Sequence, residues 1–245
     1  MNWVGATPNE CWNWCRDRRD RLADVQLPFT HEQFLDVFEA YNHALWVPAL
    51  VLWLASLAIV IRWLRDPEGG GPWLTWLLAV HWLWSGAAYH LAFFREINPA
   101  ALAFGVFFLL QGALFLWFAR ARRRLHFAPS PSAWGITGLV LVAYSLSYPL
   151  VGMGFGLEYP RMPTFGVPCP TALLTAGLLI LTTPRAPRAL FVIPVGWAAV
   201  GGSAAFVLGI RADTVLVVAG VAMVVRIFAP RSGVAPHRGD QDGSA

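Results

Sequence analysis

Seven stretches of apolar residues, separated by short polar breaks, run through most of the chain: residues 44–61, 73–94, 99–119, 133–151, 168–183, 189–208 and 213–228. Each approaches the length that a helix rising about 1.5 Å per residue needs to cross a hydrocarbon layer of about 30 Å. The fifth and seventh are the shortest, and segments of that length end below a membrane surface and leave a recess. The expected fold is therefore all-α, a polytopic integral membrane bundle of seven helices.

The stretch just before the first apolar segment has a different pattern. Thr30-His31-Glu32-Gln33 fits a capping box, with Phe29 and Phe34 placed as the hydrophobic staple around it. Phe34, Phe38, Tyr41 and Leu45 share one helical face while Glu32, Asp36 and Glu39 lie elsewhere, which predicts an amphipathic interfacial helix running into the first span. The domain plan is an N-terminal extension over residues 1–26, a transmembrane domain over 27–232 and a disordered tail over 233–245. Cys11 and Cys15, four apart in the extension, suit a disulfide on a helix poorly. No charged segment followed by an apolar one opens the chain, so the first span is expected to act as its own insertion signal.

Charge sets the orientation. The chain is 57% hydrophobic and only 13% charged, and all 18 basic residues are Arg. The absence of Lys excludes Schiff-base chemistry on this chain. Arg62 and Arg65 follow the first segment, Arg120, Arg122, Arg123 and Arg124 the third, Arg185 and Arg188 the fifth, and Arg226, Arg231 and Arg238 the last. The opposite loops hold one each, Arg95, Arg161 and Arg211. By the positive-inside rule the N-terminus lies outside and the C-terminus inside. The net charge of +4 is thus a topology signal, and the expected partner is the lipid bilayer rather than nucleic acid.

A faint repeat fits the same plan. Trp82, Ala87-Ala88-Tyr89 and Arg95 find counterparts in Trp197, Ala204-Ala205-Phe206 and Arg211, offset by about 116 residues. That suggests a parallel 3+1+3 arrangement with the fourth helix as linker, of the kind found in transporters.

With this orientation the unusual polar residues gather at the outer end. Residues 82–101 read as one helix end, a tight turn and a new helix start, with Asn98 as cap and Pro99 at the first helical position. The fourth outer loop, residues 154–171, holds three Gly and four Pro, with Glu158 as its only acid and Cys169 between two prolines. Such a loop is shaped rather than floppy. Polar groups this close to lipid are costly unless they are paired or face a cavity. A ligand pocket is therefore expected from Asn42, Tyr89, His90, Asn98, Gln111, Glu158, Tyr159 and Cys169, with Glu158 as its charge partner and Asp213 reserved for capping the last helix. His43, His90 and Cys169 are the candidate metal ligands. No cofactor is demanded by the sequence, a metal ion being the one these residues would take.

Thr30-x-Glu32-x-Phe34 with Tyr41-Asn42, then Tyr89-His90-x-x-Phe93-Phe94-x-x-Ile97-Asn98-Pro99-Ala100, and Phe165-Gly166-x-Pro168-Cys169-Pro170-Thr171 carry a likeness. Together they resemble a family of bacterial polytopic membrane proteins classed only as a domain of unknown function, over about residues 27–228. The resemblance implies a bacterial cytoplasmic (inner) membrane and supplies no activity. The leading expectation is binding or transport of a small solute or ion through an outward-facing pocket. The alternative is a metal- or haem-dependent membrane enzyme using His43, His90 and Cys169, and a third class is a non-catalytic sensor or accessory subunit.

Overall fold

The computed structural model describes residues 28–120 and 125–229. Cys11, Cys15, the extension over 1–26, the tail over 233–245, and Arg122 to Arg124, Arg231 and Arg238 lie outside the described residues.

The all-α expectation holds. The first helix, α1 (His31–Arg65), starts at the foreseen capping box: the Gln33 amide donates to Thr30 Oγ1 at 3.2 Å, and Thr30 N–H donates to Gln33 Oε1 at 2.8 Å. The Phe29 and Phe34 rings stack with centroids 5.8 Å apart. Leu45 leaves helical geometry and Pro48 lies three residues beyond, so the amphipathic first part and the apolar second part form one kinked helix. At 35 residues it is longer than a bilayer core requires, and its first turns pack against the π-turn and the end of α7.

Asp66 caps α2 (Pro67–Trp84) by accepting from the Gly69 amide at 3.0 Å. The helix then widens into a π-turn, Ser85–Leu91, before a 3-10 turn, Phe94–Glu96. Asn98 Oδ1 accepts from the Ala100 amide at 3.0 Å and opens α3 (Ala101–Arg120), as foreseen. The fourth apolar segment is split into α4 (Ala133–Leu146) and α5 (Tyr148–Gly154), which are bent by 73° where Pro149 follows the break. After the loop come α6 (Pro168–Ile180), α7 (Ala189–Leu208), a 3-10 turn, Arg211–Thr214, and α8 (Val215–Phe228).

Helix α6 is the hub. From Pro170 to Ile180 every residue is buried, and it packs against α2, α4, α7 and α8. Its contact with α4 is made by paired glycines: a Cβ on Gly177 would lie 2.7 Å from the Gly138 carbonyl oxygen, and one on Gly138 2.8 Å from that of Gly177. Around the hub the outward faces carry large apolar side chains, among them Trp46, Val51, Leu54, Trp117, Val140, Leu150, Val192, Phe206 and Val218. Monomers that meet only water seldom expose so much contiguous apolar surface.

By length and composition three helices can cross a membrane, α1, α3 and α7, or four if α4 and α5 count as one bent span. The seven-helix count is not matched. Eight α-helices are present among the described residues, and α6 and α8, at 13 and 14 residues, are too short by that measure.

The two ends of the bundle differ. At one, Arg226 donates to the Ile180 and Thr182 carbonyls, Arg185 to those of Ile227 and Ala229, and Arg120 lies over the Trp76 ring. At the other, the start of α1 meets the end of α7, with His31 Nδ1 donating to the Leu208 carbonyl at 2.8 Å. The residues singled out from the sequence belong to this second end.

Candidate functional site

A cavity of about 400 Å³ opens at the second end, between the start of α1, the π-turn, the start of α6 and the end of α7. The Phe34 and Phe38 rings from the amphipathic part of α1 line it, with Phe29 just before the helix. Tyr89, Phe94, Phe104 and Trp197 add four more. The helical spacing that gives α1 its apolar face thus builds a cavity wall. The polar lining is sparse, namely Asn98, Cys169, Ser203 and Asp213, with the Tyr89 hydroxyl.

Asp213 is the one charged side chain lining the cavity, and it is 5% exposed. The Tyr148 hydroxyl donates to Asp213 Oδ1, and the Cys169 thiol lies between Asp213 and the Trp197 indole. Tyr144 donates to the Ala212 carbonyl at 2.8 Å and fastens the same turn from α4. Tyr148 belongs to α5, which follows the 73° bend, so the break in α4–α5 presents a donor to a carboxylate 65 residues away. Among the described residues Asp213 has no ion-pair partner.

These facts revise the capping role foreseen for Asp213. Neither the 3-10 turn nor α8 has a side-chain cap, and Thr214 Oγ1 donates back to the Arg211 carbonyl at 2.8 Å. The Asp213 carboxylate is turned inward because Tyr148 offers it a donor there. Glu158, expected as the pocket's charge partner, is exposed and lines no such cavity. Arg161 leaves it alone and reaches across to α1, meeting Glu32 at 2.8 Å, Asp36 at 2.6 Å and Glu39 at 3.5 Å. The hydrogen bonds to Glu32 and Asp36 push the Arg161 guanidinium above its ordinary value. This clamp ties the Gly- and Pro-rich loop to the start of α1.

The other foreseen pocket residues divide. Tyr89, Asn98 and Cys169 line the cavity with Asp213. Asn42 and Tyr159 line a second cavity of about 400 Å³, between α1 and the α4–α5 bend, which shares no lining residue with the first. Asn42 donates there to the Pro160 and Met162 carbonyls at 2.6 and 2.8 Å and accepts from Thr164 at 2.6 Å, so it fastens the loop. Between the two cavities stands Tyr41, which donates to the Phe165 carbonyl and accepts from Trp84 Nε1. Gln111 is buried midway along α3 and donates to the Leu190 carbonyl at 3.1 Å.

His90 is wholly buried in a cage of rings, with Phe108 at 4.6 Å, Trp197 at 5.2 Å and Tyr89 at 5.4 Å between centroids. Neither of its ring nitrogens has a hydrogen-bond partner among the described residues, and the Ser85 hydroxyl one turn back is likewise unpaired. Both lie in the π-turn, a distortion that recurs at functional sites. His81 follows the ordinary pattern, with Ser56 at 2.9 Å and Thr171 at 3.4 Å.

The metal assignment needs correction. His43 lies on the exposed side of α1 and pairs with Glu39 at 3.7 Å, one helical turn away, while His90 is sealed among rings. Among the described residues no three His, Cys, Asp or Glu side chains are placed to hold a metal ion. His43, His90 and Cys169 therefore do not form a shared ligand set, for metal or for haem iron.

Fold and cavity together define a class: an all-helical protein, three of whose helices can cross a membrane, with a ligand-sized aromatic cavity at one end. The chain belongs to DUF6064, a family of unknown function whose model matches residues 31–235. No curated protein and no solved structure matches it.

Proposed function

We propose that this chain is a polytopic protein of the bacterial cytoplasmic membrane that binds a small, largely apolar solute in the cavity beside Asp213. In this reading α1, α2 with its π-turn, α3, the α4–α5 pair, α6, α7 and α8 serve as seven spans, N-terminus outside. Two features support it: the exposed apolar side chains around the bundle, and six arginines (62, 65, 120, 185, 188 and 226) near one end against three (95, 161 and 211) near the other. The short α6 lies inside its neighbours, α8 presents an apolar face outward, and the recess at their starts is the cavity.

One observation carries the binding reading. A cavity of about 400 Å³ falls in the size range of small-molecule sites, and its apolar wall with a few convergent polar groups is the composition those sites share. Binding is the step that a transporter, a carrier and a sensor have in common.

The test is a cavity-filling variant. Ala204 lines the cavity from α7, and Ala204→Trp should remove binding of small aromatic solutes to protein in nanodiscs while the thermal transition stays cooperative. Unchanged binding by a folded Ala204→Trp protein would move the site elsewhere.

A further inference from the structure

Resting on the reading that this cavity takes a solute, we infer that the solute is an organic cation with an apolar body, its charge placed against Asp213 and its body among the rings of α1, the π-turn and α7. Asp213 is buried, it faces the cavity, and no Arg, Lys or His lines that cavity with it. An ionised carboxylate taken from water at this depth is costly unless a cation offsets it. Tyr148 supplies one hydrogen bond and Cys169 a weak thiol contact, and neither carries charge. The protein leaves the countercharge unfilled.

The rest of the lining fits the same occupant. Aromatic faces attract cations through their quadrupoles, and Tyr89 and Trp197 line the cavity with Asp213. The Tyr89 hydroxyl makes no hydrogen bond among the described residues, so it is free to meet a polar group of the solute. A small inorganic cation is usually held by several charged or imidazole ligands close together, and no group of three His, Cys, Asp or Glu is so placed among the described residues. An anionic solute would meet repulsion from Asp213 itself.

A matched pair of probes tests the inference: benzyltrimethylammonium and its uncharged isostere neopentylbenzene, titrated against the full chain in nanodiscs, with binding to empty nanodiscs subtracted. The wild-type protein should hold the cation about tenfold more tightly than the isostere. Asp213→Asn should erase that preference and leave the isostere's affinity within about twofold. Equal affinity for both probes in the wild type would overturn the charge assignment and leave the cavity reading intact. A preference that survives in a folded Asp213→Asn variant would do the same. Failure of both probes to bind the wild type would sink the cavity reading and this inference together. The wild-type comparison decides the matter even where Asp213→Asn does not fold.

Discussion

Tyr148 and Asp213 are 65 residues apart in the chain and meet in one buried hydrogen bond. A donor that holds a carboxylate contributes about 1.5–3 kcal/mol, more than a neutral pair, because the acceptor is otherwise left buried with little to solvate it. Tyr148→Phe removes only the hydroxyl from a side chain with no exposed surface. It is expected to lower unfolding stability by about that amount, read as a reduced melting temperature of the purified protein in detergent, without opening a cavity. A melting temperature equal to wild type would mean that the pair carries no stabilisation. His90 poses the opposite case. Its nitrogens have no partner among the described residues, so it adds nothing to this hydrogen-bonded set.

Among the elements, α6 shows how a short helix becomes the centre of a bundle. It is 13 residues long and contains no charged residue, and its glycine lets the backbone of α4 come into contact. Small residues of this kind are the usual means of close helix packing inside membranes. Gly177→Ala would set a methyl group 2.7 Å from the Gly138 oxygen and 2.9 Å from the Val142 nitrogen, both backbone atoms that cannot swing aside. The expected result is a loss of about 1–3 kcal/mol, measured by thermal unfolding, from forcing α4 and α6 apart. A change confined to a few tenths would show that the two helices slide without strain. The loop over residues 155–167 depends on a different device. Arg161 draws it to α1 through three carboxylates, and Arg161→Gln should make that loop a faster site of limited proteolysis while the bundle's melting temperature barely moves.

For the whole molecule, orientation is the property on which the proposal of an outward-facing cavity rests. A reporter that works only in the cytoplasm should be active when fused after Arg231 and silent when fused after Arg161, and the reverse pattern would place the cavity on the cytoplasmic side. The two ends of the bundle already differ in chemistry. Arg226 ties α8 to the carbonyls at the end of α6 and Arg185 binds the carbonyls at the end of α8, while aromatic rings and a single buried carboxylate surround the cavity at the other end.

Much of this was legible in one dimension. The apolar segments, the capping box at Thr30, the staple of Phe29 on Phe34 and the Asn98 cap each depend on residues within a few positions of one another, and helix geometry alone brings those together. The arginine asymmetry is likewise a property of order along the chain. Other features needed the third dimension. Glu158 and Asp213 are both single acids in turns between apolar segments, and nothing local separates them. Asp213 is buried because the α4–α5 bend carries Tyr148 to it, and Glu158 is exposed because Arg161 finds Glu32 and Asp36 instead. In sequence His43 and His90 both fall next to the polar breaks that border their apolar segments, yet helix rotation puts one outside beside Glu39 and the other in a ring cage. The division of one expected pocket into two follows from Tyr41, whose hydroxyl bridges Trp84 and the Phe165 carbonyl across more than forty residues of chain on each side. Local pattern determines which segments are helices and where they begin. Packing determines which polar groups those helices turn toward one another, because a buried donor selects its acceptor by position in space rather than along the chain.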